Sequence, residues 1–294
     1  MSIPLSMAVA AGHASLPVSV LTAVLLAAVL HASWNAIAHA ITDRLVGFAL
    51  IGAVSTACGA GIVSAAPAPA RASWPFLGAS AVLHVGYNLL LMRSYRLGEF
   101  GQVYPLARGT SPWLVAIAAT LFAGENLSGI RTLGILVVSL GLAALVFAGG
   151  MPTRAGLPAI VAALLTGVAI AAYTTLDGLG VRQAGTVAGY TGWLFLIDGP
   201  ALPIAAVATR RGRLWRELRP HLAAGVTGGV LSLSAYGLVL WAQTRGALAP
   251  IAALRETSVI IGAIIGAVLF QEHFGRWRIA ATVLVATGVI LINL

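Results

Sequence analysis

The sequence predicts an all-α membrane protein of ten transmembrane helices, built as two inverted five-helix repeats. Three observations carry that expectation. The first is composition: 59% of the residues are hydrophobic, 9% are charged, and the mean hydropathy is +0.96, where a soluble globular chain carries about 25% charged residues. The second is run length, since most apolar stretches reach the ~20 residues that a helix needs to cross a bilayer. The third is repetition. Arg108-Gly109-Thr110-Ser111 leads through apolar residues to Gly124-Glu125, and Arg255-Glu256-Thr257-Ser258 leads likewise to Gln271-Glu272. In both copies Arg and Glu stand 17 residues apart. At a helical rise of 1.5 Å that is about 25 Å, close to the ~30 Å apolar thickness of a bilayer.

Taken in order, span 1 runs from about Val18 to Ile41 and carries His31, Trp34 and Asn35. Span 2 runs from about Leu45 to Ala65 and is ended by Pro67 and Pro69. Span 3, Trp74 to Met92, carries His84, Tyr87 and Asn88. Span 4, from about Phe100 to Ala123, carries Tyr104 and Arg108 and is expected to be interrupted by Pro105, Gly109 and Pro112. Span 5 runs from Ile130 to Ala148, and the linker from Gly149 to Arg154 separates the halves. The repeats are therefore 18–148 and 155–294. Span 6 runs from Leu157 to about Leu176 and is expected to end at Asp177-Gly178. Span 7, from about Val187 to Ala208, carries Trp193 and Asp198, and the most basic connection, Arg210 to Arg219, follows it. Span 8 (about His221 to Gln243) carries Tyr236, span 9 runs from Ala247 to Phe270, and span 10 from Trp277 to Leu294.

Five crossings per repeat is an odd number, so the second repeat starts on the opposite side of the membrane and is inverted. Inverted repeats are a recurrent transporter design, with the solute site near the midplane between them. Loop charge sets the orientation. The odd-numbered connections hold Arg44, Arg93, Arg96, Arg154, the Arg210 to Arg219 cluster, Arg276 and Arg278; the even-numbered ones hold only Arg71, Arg131, Arg182 and Arg245. The odd connections are expected on the cytoplasmic side. Residues 1–17 contain no charged side chain, so the basic n-region of a signal peptide is missing from them.

The motif from Pro105 through Arg108-Gly109-Thr110-Ser111 to Gly124-Glu125, its second copy ending in Glu272, and the ten-span layout resemble the drug/metabolite transporter superfamily, in its EamA-like family. The resemblance covers essentially the whole chain. It implies export or exchange of small metabolites across the cell inner membrane without ATP. The superfamily's solutes run from amino acids to sugar phosphates and toxic cations, so the resemblance does not name the solute.

The polar residues can be read directly as well. Ionisable groups inside a membrane cost several kcal/mol and usually face a cavity or a partner. Arg108 and Arg255 lie about two turns inside their spans. One reading has them hold an anionic group of the solute by forked hydrogen bonds. The others are an internal ion pair, with Glu256 the obvious partner of Arg255, and snorkelling to the interface. Asp198, beside Gly199-Pro200, and Glu256 are the candidate proton carriers, since burial makes a carboxyl prefer its neutral form. For Asp198 the alternative is a structural partner to the helix gap that Pro200 opens. His31 with Asn35, and His84 with Asn88, are spaced one turn apart and could present polar faces to a solute. Hydrogen bonding between packed helices would explain them equally. Trp34, Tyr104 and Tyr236 complete the candidate binding set.

Other classes find less support. No Walker motif, no His-Glu-x-x-His and no Gly-x-Ser-x-Gly elbow occurs, so neither ATP-driven transport nor familiar hydrolysis is indicated, and the chain is not read as an enzyme. No cofactor and no metal are expected. The 17 basic residues are all Arg, mostly in short connections, where they act as topology signals and not as a nucleic-acid face. Cys58 stands alone, which excludes an internal disulfide. Gly225-x-x-x-Gly229 and Gly262-x-x-x-Gly266 permit close helix contact within the bundle or in a homodimer. The expected partners are a small-molecule solute and the lipid bilayer. The alternative function is translocation of a lipid or a lipid-linked sugar.

Overall fold

A computed structural model describes residues 16–97, 100–144, 156–269 and 275–294, and among these every regular element is helical. The order is α1 (Val18–Ala40), α2 (Arg44–Ala65), α3 (Trp74–Leu97), α4 (Phe100–Ala123), α5 (Gly129–Ala144), α6 (Leu157–Gln183), α7 (Val187–Asp198), α8 (Ala201–Arg210), α9 (Leu214–Leu218), α10 (Leu222–Gln243), α11 (Leu248–Arg255), α12 (Ser258–Leu269) and α13 (Arg276–Asn293). Among the described residues six segments are long and apolar enough to cross a membrane: Val18–Ala38, Arg44–Ala65, Arg71–Leu97, Leu106–Ala123, Leu157–Gln183 and Val187–Gln243. Gly129–Ala144 and Ile279–Asn293 are shorter apolar helices. The expected linker between halves, and Glu272, lie outside the described residues.

The bundle is apolar on its outer faces as well as in its core, with a few charged side chains inside. Leu121, Phe122, Leu140, Ile204 and Val283 are exposed on outer faces, while Arg108, Asp177, Arg255 and Glu256 are buried. In lipid, no hydrophobic force drives one apolar helix onto another, so close packing and internal hydrogen bonds must do it. Glycine supplies the packing. A Cβ on Gly52 would stand 2.8 Å from the Gly199 oxygen, and one on Gly59 would stand 2.9 Å from the Gly192 oxygen. These contacts fix α2 against α7. In the same way Gly134 and Gly288 each approach the other's carbonyl, at 2.8 and 2.7 Å, and lock α5 to α13. Gly225 and Gly229 meet Leu50 and Val54 of α2, so this pair packs within the chain. Elsewhere α3 runs along α6, α1 along α10, and α4 lies between α5 and α6.

Connections meet at two ends. At one end Ala70 N donates to Ala184 O (2.9 Å), and Arg182 binds the carbonyls of Gln243 (2.8 Å) and Gly246 (2.7 Å) and pairs with Glu125 (3.2 Å). At the other, Arg210 pairs with Asp43 and with Glu217 (3.6 Å). The connections after spans 2, 4, 6 and 8 thus gather at the first end, and those after spans 1 and 7 meet at the second. Asp43 also caps α2, accepting from the N–H groups of Leu45 and Val46 at 3.1 and 3.3 Å.

Spans 4, 6, 7 and 9 differ from their reading in the sequence. Span 4 is one continuous helix despite Pro105 and Pro112. Buried helices tolerate proline because neighbours and local adjustments re-satisfy the freed backbone groups. Span 6 does not end at Asp177 but continues to Gln183, which moves Asp177 from a helix end into the interior. Spans 7 and 9 are each broken in two. Gly199-Pro200 divides the first, and Glu256-Thr257 divides the second. At the second break the N–H groups of Glu256 and Thr257 bond back only three residues, to Ala253 and Leu254, each at 3.1 Å. This tightened last turn ends α11 in the middle of the bundle.

Candidate functional site

The break after Arg255 decides where the charges go. Glu256 occupies the place in its motif that Gly109 occupies in the first copy. At Gly109 a Cβ would stand 2.8 Å from Leu142 Cβ, so that position has no room for a side chain. At Glu256 the helix has turned, and the carboxylate sits between the two arginines. Arg108 Nε lies 2.6 Å from Glu256 Oε2, and Arg255 Nη2 lies 3.6 Å from Glu256 Oε1. The exposures of Arg108, Arg255 and Glu256 are 2%, 2% and 0%. Two of the three sequence alternatives for the arginines thereby narrow. Neither guanidinium snorkels to an interface. Glu256 is not the private partner of Arg255; it stands closer to Arg108 and serves both.

One carboxylate against two guanidinium groups leaves one positive charge uncompensated by this trio. The remaining contacts are neutral. Arg108 Nη2 donates to Ser258 Oγ (3.3 Å), Arg108 Cζ lies 6.0 Å from the Tyr104 ring centroid, and Arg255 Nη2 donates to Thr174 Oγ1 (3.4 Å). Arg255 Nε has no hydrogen-bond acceptor among the described residues. Arg108 Nη1 faces His31 Nε2 at 3.3 Å, while Trp34 Nε1 donates to His31 Nδ1 at 3.2 Å. A neutral imidazole has a single acceptor nitrogen, and indole and guanidinium only donate. Both contacts cannot be hydrogen bonds at once, so either Arg108 Nη1 or Trp34 Nε1 lacks its acceptor there.

A second polar group lies next to the first on α6. Asp177 is fully buried and accepts from Tyr190 Oη at 2.9 Å and from Tyr236 Oη. His84 Nδ1 contacts Ser80 O at 3.0 Å and Ser80 Oγ at 3.2 Å, and its ring stacks on Tyr173 at 4.0 Å between centroids. Tyr236 and Tyr87 meet these rings edge-on, Tyr236 at 5.3 Å from His84 and Tyr87 at 5.4 Å from Tyr173. Asp198 ends α7 half-buried, within electrostatic range of His84 and Asp177, and its Oδ1 has no partner among the described residues.

Of the residues singled out from sequence, His31, Trp34, Tyr104, Arg108, Arg255 and Glu256 come together in the first group, and His84, Tyr236 and Asp198 in the second. Asn35 is buried, but its Nδ2 donates to the His31 carbonyl at 2.8 Å, inside its own helix. Asn88 is half-buried and takes no hydrogen bond from a described residue, and His84 turns to Ser80 rather than to Asn88. Neither His–Asn pair is thus joined side chain to side chain among the described contacts. The site residues missed were Asp177 and Tyr173. Their signal was present, since the two are one turn apart on one helix face, but ending the span at Asp177 concealed it.

Comparison with known proteins agrees with this architecture. Residues 157–294 match the EamA-like transporter family. No curated protein matches the chain in sequence. A solved crystal structure of another protein, 17% identical, superposes with a TM-score of 0.69 over 93% of this chain and 96% of that one, which establishes a shared fold. Residues 157–294 thus match a domain of the EamA-like transporter family, and the chain is a multi-pass membrane protein.

Proposed function

We propose that the chain is a secondary transporter that moves a small solute bearing an anionic group across the cell inner membrane by alternating access between two inverted halves, 18–148 and 155–294. The observation that carries the solute class is the buried trio. Arg108 and Arg255 share Glu256, and a solute carboxylate or phosphate monoanion would bring the group to neutrality. Buried unpaired charge costs several kcal/mol, so the site has a strong reason to take one negative charge.

Helix pairing supports the inverted halves and the ten spans. Gly52 and Gly59 recur at the same spacing as Gly192 and Gly199. The contacts Gly52–Gly199 and Gly59–Gly192 exchange when the halves are exchanged. Gly134 and Gly141 correspond, by the offset that relates Arg108 to Arg255, to Ala281 and Gly288. Gly134 meets Gly288 and Gly141 meets the Ala281 oxygen (3.3 Å), which is again a reciprocal pair. A two-fold axis in the membrane plane generates contacts of this kind. Rocking of the halves about these glycine seams would expose the arginines alternately to each side, and Asp198 or Glu256 could carry a coupling proton.

The test is uptake into proteoliposomes of a panel of labelled monocarboxylates, monophosphates, amines and neutral sugars. Transport is expected for solutes with an anionic group. A profile confined to amines and neutral sugars would contradict the reading.

A further inference from the structure

The connection between α8 and α10 carries more positive charge than its surroundings neutralise. Residues 210–219 hold five Arg and one Glu. The carboxylates that pair here, Asp43 and Glu217, both pair with Arg210. Arg211, Arg213, Arg216 and Arg219 are exposed, and none has an acidic partner among the described residues. The segment is nonetheless folded. It forms the short helical turns Arg211–Arg213, α9 and Arg219–His221, and Leu218 and Leu222 pack against Ile41, Val46 and Leu50. Arg211 is the one described non-glycine residue with a positive φ, 48°, a conformation that glycine adopts without steric cost. A guanidinium is thus held where the backbone alone would favour glycine.

The patch sits where the lipid-facing surface ends. Ile204 and Val207 are exposed on α8, and Val226 and Val230 on α10. Arg211 follows Val207 by four residues, a helical rise of about 6 Å, so the arginines begin just past the apolar face. Among them stands Trp215, 64% exposed, between Arg213 and Arg216. An exposed indole among basic side chains suits the membrane interface, where the ring enters the headgroup layer and the guanidinium groups meet phosphates. Guanidinium also matches phosphate through paired hydrogen bonds. A topology signal needs only the charge of these arginines. The folded connection and Trp215 add a fixed surface to it.

We propose that this surface binds the headgroups of anionic phospholipids in the adjoining leaflet, with Arg211, Arg213, Arg216 and Arg219 on the phosphates and Trp215 at headgroup depth. The leaflet expected at this end is the cytoplasmic one, whose negative surface potential attracts basic residues. Each basic residue near such a surface raises association about fivefold. This binding does not depend on which solute the chain carries.

The experiment measures binding of a fluorescent phosphatidylglycerol to the purified, delipidated full chain in a non-ionic detergent. The bound probe is displaced by unlabelled phosphatidylglycerol, phosphatidylcholine or inorganic phosphate. Phosphatidylglycerol is expected to displace it at least about tenfold more effectively than phosphatidylcholine, since two engaged arginines already exceed that ratio. Arg211→Gln, Arg213→Gln, Arg216→Gln and Arg219→Gln together should remove most of the preference. These side chains are exposed and carry no ion pair among the described residues, so the variant should fold. The wild-type ranking stands as a test even where it does not. Equal displacement by the two lipids would overturn the proposal, and so would a preference that persists unchanged in the fourfold variant. Displacement by inorganic phosphate as effective as by phosphatidylglycerol would overturn the lipid assignment and make the patch a site for free phosphate.

Discussion

Glu256 shows how much one side chain can decide. The motif is repeated, yet the first copy has Gly109 where the second has Glu256. Gly109 is pressed against Leu142, and Glu256 is turned between two arginines. The consequences for stability are unequal. Glu256→Gln would leave two buried guanidinium groups without a counter-charge, a loss of about 3–5 kcal/mol by comparison with other broken buried pairs. Arg255→Gln would leave the tighter Arg108–Glu256 pair in place, so its melting midpoint should be unchanged or raised. Thermal unfolding of the two variants in detergent checks this. Equal destabilisation by both would mean that Glu256 belongs to Arg255 after all. At this scale the sequence was partly legible. The arginines and Glu256 announce themselves as charges in an apolar run, but the closer partner of Glu256 depends on a helix break that Glu-Thr does not signal.

At the scale of elements, the proposed site depends on the helix breaks, and the helix that carries Arg255 is held at its far end. Glu125, at the end of α4, accepts from Leu248 N at 2.7 and 3.0 Å and from Ala249 N at 3.4 Å. It thereby caps α11, the short helix that carries Arg255 to the centre, and pairs there with Arg182. A carboxylate at a helix N-terminus is favoured both by the open N–H groups and by the helix dipole. Glu125→Ala should cost about 0.5–2 kcal/mol, read as a lower melting midpoint. An unchanged midpoint would show that those N–H groups are satisfied in another way. The seventeen-residue spacing from Arg to Glu was visible in sequence, but it suggested only the length of a span. That the Glu closing the first copy of the motif caps the helix carrying the Arg of the second requires the chain to be folded. Proline misled in both directions. Pro200 accompanies a true break, whereas Pro105 and Pro112 sit inside a continuous helix, because tertiary packing overrides the local rule.

For the whole molecule, the membrane class follows from composition, and the expectation of a repeat from the doubled Arg-x-Thr-Ser. The glycine seams were legible only in outline. Gly52 with Gly59 and Gly192 with Gly199 have matching spacing, but glycine is abundant here and spacing alone does not choose a partner. Sidedness has a direct test. Arg210, which opens the Arg210 to Arg219 connection after span 7, meets Asp43 after span 1, so both connections share one face, expected to be cytoplasmic. Arg213→Cys in a Cys58→Ala background should resist a membrane-impermeant thiol reagent in intact cells and react after permeabilisation. Labelling in intact cells would reverse the orientation.

The central claim is that two buried arginines, sharing one carboxylate, hold the anionic end of the transported solute. It is tested most directly by transport in proteoliposomes with Arg108→Gln and Arg255→Gln, each reconstituted at the same amount of folded protein. The loss of one charge-assisted hydrogen bond, about 1.5–3 kcal/mol, predicts about a ten- to hundredfold lower apparent affinity in each variant. Wild-type transport by both variants would show that neither arginine touches the solute.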